Sequence, residues 1–259
     1  MTILAWQRGG TPQGPAVVLL HAWASDGLRD WEATGWVDRL APAGFDVLVP
    51  DLPGHGESAD VLLPPDAESA AWTASALASD LAALGITRFQ AVGYAEGCLV
   101  ASHLAVRSDS AGGGAPLPGR READEVGSLV LVSADDRDGV PHGSEIAAAL
   151  RDRASRVWHP EAAEALARAR SDRRHHLPTL AVWAGRAAWP AAPRLGALRI
   201  PVLLGVGADD ERRARAPRLA QLFHDARLVT VPGDRRSALS APELRATVAA
   251  FLTDHAGRP

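Results

Sequence analysis

Six short apolar segments, separated by stretches of helical pattern, constrain the fold of this chain more than any other feature. Each segment is a near-continuous apolar run, which is typical of strands buried on both faces of a parallel sheet. The segments lie at residues 16–21, 45–50, 88–93, 128–133, 201–206 and 227–231. Helices are predicted between them, notably at 68–84, 96–106, 214–223 and 242–253. The alternation predicts an α/β fold with a mostly parallel central sheet flanked by helices.

Two further segments define the predicted organisation of the chain. Residues 143–190 have a mostly helical pattern, and we interpret them as a helical cap inserted into the fold. Residues 107–126 are rich in Ser, Gly and Pro, and the strand pattern resumes directly after them. We therefore predict a flexible surface loop there rather than a domain boundary, and a single domain over residues 1–259.

Composition excludes several classes of protein. Apolar residues make up 47% of the chain and the net charge is −4, which fits a globular core and argues against a nucleic-acid partner. The single cysteine, Cys98, excludes an internal disulfide. The N-terminal segment lacks the pattern of a signal peptide, and no apolar run is long enough to span a membrane. We expect a cytoplasmic protein without a membrane partner, and a homo-oligomer stays possible.

The turn after the third apolar segment carries the most informative pattern for function. Residues 93–97 read Gly-Tyr-Ala-Glu-Gly, between an apolar strand and a helix. Two glycines at this spacing are the frame of the Gly-x-Ser-x-Gly nucleophile elbow, which presents its central side chain at a sharp strand-to-helix turn. The central residue here is Ala95, which has no hydroxyl or thiol.

Four more motifs occur in order along the chain. They are Leu-Leu-His-Ala-Trp at 19–23, Pro-Asp-Leu-Pro-Gly-His-Gly-Glu-Ser at 50–58, Gly-Ala-Asp-Asp at 207–210 and Val-Pro-Gly-Asp-Arg at 231–235. With these motifs and the elbow, the chain resembles the α/β-hydrolase fold family along nearly its whole length. The resemblance implies the order of nucleophile, acid and histidine that is typical of this fold.

The resemblance places the catalytic triad at Ala95, Asp210 and Arg235, with Asp209 as the alternative acid. Only the acid is retained, because Ala95 cannot attack a carbonyl and an arginine stays protonated and cannot act as a base. We therefore expect that Ser-His-Asp hydrolysis has been lost. Because Arg235 and Ala22 both depart from the family pattern, we interpret the change as natural rather than as one laboratory substitution.

The remaining groups near the predicted triad leave alternatives open. Asp210 is expected to form an ion pair with Arg235, although Arg235 or Arg236 pointing to solvent would leave Asp210 as a lone general base. Cys98, three residues past the tip, is a conceivable displaced nucleophile. We interpret it instead as a small buried residue that packs the helix against the sheet.

The resemblance also implies an oxyanion hole, built from the backbone N–H groups of Trp23 and Glu96. Neither donor depends on a serine or a histidine, so the hole is either intact or a vestigial turn. Tyr94, the only tyrosine, is a candidate to add its hydroxyl to the pocket.

The histidines give no clear ligand set, and neither a metal nor a cofactor is predicted. His55 lies in the Asp-x-x-Gly-His-Gly loop and is expected to be structural. His175 and His176 lie in an arginine-rich stretch with only one carboxylate nearby. His142 and His159 have the pattern of surface positions.

The distribution of tryptophans suggests what such a pocket would bind. Trp23, Trp31 and Trp36 flank the predicted oxyanion turn, and the cap segment contains a second group, Trp158, Trp183 and Trp189. If several of them converge, they line a pocket for a small apolar or aromatic ligand under the cap.

Three functions follow from these patterns. The leading hypothesis is a non-hydrolytic enzyme, a cyclase, isomerase or lyase acting on a small carbonyl compound. The second is an inactive ligand-binding or accessory protein. The third is a hydrolase with an atypical site that works by water attack through Asp210 or through Cys98.

Overall fold

The computed structural model describes residues 2–108 and 125–257. Its strands form one seven-stranded sheet in the order β1-β3-β2-β4-β5-β6-β7, in which β1 pairs antiparallel with β3 and the other pairs are parallel. The strands are β1 (Trp6–Gly10), β2 (Ala16–Leu20), β3 (Asp46–Pro50), β4 (Arg88–Tyr94), β5 (Glu125–Val132), β6 (Val202–Gly207) and β7 (Ala226–Val231). The predicted fold class, a mostly parallel sheet flanked by helices, is confirmed.

All six predicted strands are present, and the sequence pattern missed only β1. This strand, Trp-Gln-Arg-Gly-Gly, contains two glycines and polar residues and is only partly buried at the sheet edge. Because one of its sides has no neighbouring strand, it lacks the continuous apolar run that marks the central strands. The central strands β2, β3 and β6 are buried at every position.

Ten α-helices surround the sheet in the described part of the chain. They are α1 (Trp36–Leu40), α2 (Ser69–Ala83), α3 (Gly97–Ser108), α4 (Gly143–Arg151), α5 (Pro160–Ser171), α6 (Leu177–Arg186), α7 (Ala192–Ala197), α8 (Ala216–Ala220), α9 (Arg235–Leu239) and α10 (Pro242–His255). The helix predicted at 214–223 is shorter than expected. A 3-10 turn, Glu211–Ala214, precedes α8, and Pro217 lies in the first turn of that helix, where a proline is tolerated.

Helices α4 to α7 form one consecutive helical region between β5 and β6, which is consistent with the predicted cap at 143–190. The division into a cap and a single domain over 1–259 stays a prediction. The predicted flexible loop at 107–126 lies mostly outside the described residues. Its two ends belong to regular structure, since α3 ends at Ser108 and β5 begins at Glu125.

Apolar side chains cover both faces of the sheet. On one face Trp31 and Trp36 are fully buried and meet edge to face, with ring centroids 5.4 Å apart, in the cluster that also receives α10. On the other face α2, α3 and the cap helices pack over the strands, with Trp183 fully buried among them. Within the described residues, none of the helices has both the length and the apolar character required to cross a membrane.

Candidate active site

The elbow between β4 and α3 has the backbone that its sequence predicts. Ala95 has a φ of 50°, in the left-handed region that a non-glycine residue adopts only under constraint. A Cβ at Gly97 would lie 2.1 Å from the carbonyl oxygen of Leu20, and one at Gly93 would lie 2.6 Å from the backbone of Cys98. Both glycines are therefore required for the helix to approach β2 and β4 this closely. The side chain at the tip is a methyl group.

A second strained turn follows β2, and two buried histidines hold it in place. Ala24 has a φ of 53°, and its N–H donates to Nε2 of His55 over 3.1 Å. Nε2 of His21 accepts the N–H of Leu52 over 2.9 Å. Burial, reinforced by the neighbouring His21 and His175, holds the pKa of His55 well below its ordinary value. His55 is thus a neutral acceptor, and its predicted structural role is confirmed.

The side chain of Glu96 occupies the predicted oxyanion region. Its Oε2 accepts the backbone N–H of Trp23 over 3.2 Å, and its Oε1 accepts from Arg212 over 3.4 Å. Each of the two charged side chains is only 5% exposed, so they form a buried ion pair. One of the two donors expected to stabilise an oxyanion is therefore already satisfied by a carboxylate of the protein.

Asp210 and Arg235 do not form the expected ion pair, and that prediction is wrong. Asp210 lies just beyond β6, where its Oδ1 accepts the backbone N–H of Arg212 over 2.9 Å. Its Oδ2 is buried without a hydrogen-bond partner in the part of the chain that the structure describes. Arg236 is also turned elsewhere, since it pairs with Asp30 at 3.4 Å.

Arg235 lies instead against the ring of Tyr94. Its Nε donates to the Tyr94 hydroxyl over 3.2 Å, and the guanidinium carbon lies 5.4 Å from the ring centroid. Cation–π attraction and a hydrogen bond together explain why the arginine prefers this contact. Burial alone would lower the pKa of Arg235, but the charges of Glu96 and Tyr94 and the hydrogen bond raise it. Burial also raises the pKa of Tyr94, against the opposing effect of Arg235.

Cys98 packs as expected and is not a nucleophile. It is completely buried, its Sγ contacts the carbonyl oxygen of Val132 at 3.5 Å, and burial raises the pKa of the thiol far above its ordinary value. A thiol that remains protonated cannot attack a carbonyl carbon.

A cavity of about 730 Å³, called here the large cavity, opens above the ends of β2, β4 and β6. Trp23 lines it together with charged side chains from the sheet and the cap: Arg29, Asp30, Glu96, Glu164, Arg168, Asp209, Asp210, Glu211, Asp234, Arg235 and Arg236. A small cavity of about 270 Å³ lies beside it, lined mainly by Ala95, Glu96, Ser133, Asp135, Asp138, Val140, Pro141, His142, Trp189 and Arg212. The structure thus places four of the five predicted site residues in the large cavity, with Ala95 in the small one and Glu96 in both.

The sequence pattern of the alpha/beta hydrolase family matches residues 17–246. The chain belongs to the alpha/beta hydrolase family. A solved structure with the same fold is a thermophilic esterase from Thermogutta terrifontis, which has a TM-score of 0.70 and 22% sequence identity. The comparison covers 97% of this chain and 94% of that one. At this level of identity the likeness establishes the fold alone.

Two curated members of the family are similar to part of the chain. A pimeloyl-[acyl-carrier protein] methyl ester esterase from Vibrio campbellii is 38% identical over 107 residues, which are 41% of this chain and 37% of the relative. A 2-succinyl-6-hydroxy-2,4-cyclohexadiene-1-carboxylate synthase from Citrobacter koseri is 33% identical over 108 residues, which are 42% of this chain and 39% of the relative. The matches span less than half of the length of these relatives.

The comparisons correct the leading functional hypothesis. The expectation of a cyclase, isomerase or lyase is wrong, because methyl ester esterases predominate among the similar curated family members. They favour a hydrolase, which was the third of the functions considered. Loss of the Ser-His-Asp machinery stays a prediction.

The tryptophans do not converge on one ligand pocket. Trp31, Trp36 and Trp183 are core residues, and Trp158 is 73% exposed. Only Trp23 lines the large cavity and Trp189 the small one. The condition set for an aromatic pocket, that several tryptophans converge, is not met, because most of these rings pack the two faces of the sheet while charged side chains line the cavities. An apolar or aromatic ligand stays an untested prediction.

Two arginines that the sequence analysis did not single out contribute to the site. Arg212 reaches Glu96 from the 3-10 turn after β6, and Arg168 reaches the large cavity from α5 of the cap. Burial, followed by the charge of Arg235, lowers the pKa of Arg168. No local sequence pattern distinguishes Arg168 from the many surface arginines. Arg212 lies two residues after the predicted acid, and this position could have indicated that it contributes to the site.

Proposed function

We propose that the chain hydrolyses carboxylic esters that carry a further negative charge, by direct attack of water. The observation that carries the proposal is Oδ2 of Asp210, a buried carboxylate oxygen without a partner in the described chain, on a residue that lines the large cavity. A carboxylate oxygen with free lone pairs accepts a proton from a water molecule that attacks a carbonyl. The esterase names among the similar family members support this class of reaction.

The chemistry needs no side-chain nucleophile. The water oxygen forms a bond to the ester carbonyl carbon while its proton passes to Asp210, and the carbonyl π electrons move to the carbonyl oxygen. The tetrahedral anion then re-forms the carbonyl and expels the alkoxide, which takes the proton from Asp210. Arg235 lies in the same cavity as a permanent cation, so its field favours the negative charge that develops in the transition state. Ala95 cannot form an acyl intermediate.

The charge of the substrate is inferred from two arginines in the large cavity. Of the four arginines that line it, Arg29 pairs with Asp172 and Arg236 pairs with Asp30. Arg168 and Arg235 have no carboxylate within ion-pair distance among the residues described. Carboxylates also line this cavity, but two guanidinium groups that face it without a direct ion pair have donors free for a ligand with a carboxylate or a similar anion.

A matched pair of ester substrates tests the proposal. The p-nitrophenyl half-ester of glutaric acid carries the extra carboxylate, and p-nitrophenyl butyrate lacks it. We expect faster hydrolysis of the charged ester, a fall in kcat of about 10²- to 10⁴-fold in Asp210→Asn, and a raised KM in Arg168→Met. Mass spectrometry during turnover should show no acylated protein. Ser133 has a buried hydroxyl without a hydrogen-bond partner in the described chain and lines the small cavity with Ala95, so it is the alternative nucleophile to exclude. An acyl adduct, or loss of activity in Ser133→Ala with activity retained in Asp210→Asn, would contradict water attack through Asp210.

One observation favours a second candidate, ligand binding without turnover. The Trp23 N–H that would stabilise an oxyanion is already bonded to Glu96. Removing one oxyanion donor costs about 10²- to 10³-fold in rate in a well-studied hydrolase. Binding of glutarate that depends on Arg168, without release of nitrophenol above the uncatalysed rate, would support this second function.

A further inference from the structure

We propose a binding site for a divalent transition metal of the zinc class, formed by His142, Glu145 and His159 at the facing ends of two cap helices. His142 directly precedes α4, Glu145 is the third residue of that helix, and His159 directly precedes α5. The site is separate from Asp210 and the proposed hydrolysis, and it does not depend on them.

The three side chains already converge. One potential ligand atom from each lies within 4.8 Å of the other two. Nδ1 of His159 lies 2.8 Å from Oε2 of Glu145, and the rings of His142 and His159 stack with centroids 3.8 Å apart and planes 17° apart. The backbone N–H of Trp158 donates to the other oxygen of Glu145, so the carboxylate is held in place from the α5 side.

The donor set fits zinc-class chemistry. Neutral imidazole and carboxylate are common ligands of Zn²⁺, with bonds of about 2.0–2.2 Å that put neighbouring ligand atoms of a tetrahedral ion about 3.3 Å apart. The proposal requires side-chain rotation to bring the ligand atoms, which lie within 4.8 Å of one another, to that spacing. The fourth position would be taken by water, since two histidines and one carboxylate supply only three ligands.

The backbone conformation of His142 contributes to the position of its side chain. The residue has a φ of 54° and a ψ of 32°, and its side chain does not cap α4. A non-glycine residue in the left-handed region costs about 1 kcal/mol or more. This conformation carries the imidazole to the side of His159. His142 also lines the small cavity, so a bound ion would fix one wall of that cavity.

The assignment reverses the sequence-based expectation that His142 and His159 are ordinary surface residues and that the chain has no metal site. His142 and Glu145 are three residues apart in the sequence, and His159 follows fourteen residues later, at the start of the next helix. Only the packing of the cap helices brings the second histidine to the first.

Equilibrium dialysis of tag-free protein against Zn²⁺, with metal counted by mass spectrometry, tests the site. We expect one bound ion per chain, and binding weaker by a factor of about 100 or more in Glu145→Gln and His159→Ala, since even second-shell changes cost about 10- to 100-fold. Glu145→Gln keeps an oxygen that can accept the Trp158 N–H. His142→Gly removes a ligand where glycine relieves the backbone strain, so this variant should remain folded and lose zinc. His224→Ala, which changes an exposed histidine in the connection between α8 and β7, is the matched control.

Replacement by Co²⁺ gives a second readout, because a four-coordinate site has an intense visible absorption band that the three variants should lack. Circular dichroism of each metal-free variant separates loss of a ligand from loss of the fold. The proposal is overturned if the wild-type chain retains no zinc, or if folded His142→Gly and His159→Ala bind it as tightly as wild type and His224→Ala do.

Discussion

Packing fixes the backbone of the two turns that frame the candidate site, whereas the charged side chains between them follow no such constraint. The turns at Ala24 and Ala95 keep left-handed backbones that are fixed by glycines, buried histidines and close strand contacts. The charged groups of Glu96, Arg212 and Arg235 make contacts that the family pattern does not imply. The comparison teaches that packing maintains the geometry of an active-site turn independently of the residues that would use it.

The two regions also differ in what a substitution disturbs. At Gly97 an added methyl group would collide with the backbone of β2, which the central sheet holds in place. At Arg235 a different side chain would change a contact with one tyrosine ring at the rim of the large cavity. A substitution can therefore change the chemical groups of this site more easily than the backbone shape of its turns.

The largest expected effect comes from restoring a serine and a histidine at the two triad positions that have lost them. Ala95→Ser with Arg235→His supplies the hydroxyl and the imidazole, yet we expect weak esterase activity because Glu96 still occupies the Trp23 N–H. Adding Glu96→Leu and Arg212→Met, which removes both members of the buried pair, should raise kcat by a further factor of about 100. Steady-state hydrolysis of p-nitrophenyl butyrate measures the difference.

The double variant alone serves as the control for this experiment. If it is already as active as the fourfold variant, Glu96 does not block the oxyanion region. Urea denaturation of both proteins establishes that the comparison is between folded enzymes.

A smaller effect, on stability, tests the turn itself. Gly97→Ala forces a methyl group against the carbonyl oxygen of Leu20, and we expect a loss of about 3 kcal/mol or more in the free energy of unfolding. Gly257→Ala is the matched control, since a Cβ there has nothing within 4 Å. Urea titrations followed by circular dichroism compare the two variants. Equal stability for both would show that packing does not fix the elbow.

The smallest expected effect concerns the contact between Arg235 and Tyr94. The chain has a single tyrosine, so the pH-dependent tyrosinate absorbance reports this residue alone, because the eight tryptophans do not ionise in this pH range. Burial raises the pKa of Tyr94 above the ordinary value of 10.0, and the positive charge of Arg235 opposes the rise. The tyrosinate signal should therefore appear above pH 10 in the wild-type chain and at still higher pH in Arg235→Met.

The raised pKa of Tyr94 also determines how its contribution to the stability of the fold changes with pH. Because the folded pKa lies above the unfolded one, the contribution of Tyr94 is fully present below about pH 10 and is lost as pH rises through the folded pKa. An unchanged or lower titration midpoint in Arg235→Met would show that the arginine does not lie on the ring.

The sequence predicted the sheet well because its central strands are buried on both sides and therefore consist of continuous apolar runs. It missed β1 because Gly9 and Gly10 end a partly polar edge strand. The elbow at Ala95 was predictable because glycines at fixed spacing reflect close backbone contacts that leave few alternatives.

The side-chain contacts of the site were less predictable. The ion pair expected between Asp210 and Arg235 assumed that opposite charges at neighbouring positions meet, whereas a buried aromatic ring was the better partner for the arginine. Glu96 was considered only for its backbone N–H, and its carboxylate proved to be the group that fills the site. Such choices depend on competition among several partners at distances that a single sequence does not specify.

The position of Glu96 sets a limit on the size of any occupant. Its side chain lines both cavities, along with Val140 and Pro141, so it forms part of the wall between a volume of about 730 Å³ and one of about 270 Å³. A strand or a helix in that place would make the boundary permanent. Since a side chain can rotate while the backbone stays fixed, the length of molecule that this protein accommodates depends on the orientation of one carboxylate as well as on the fixed position of Val140 and Pro141.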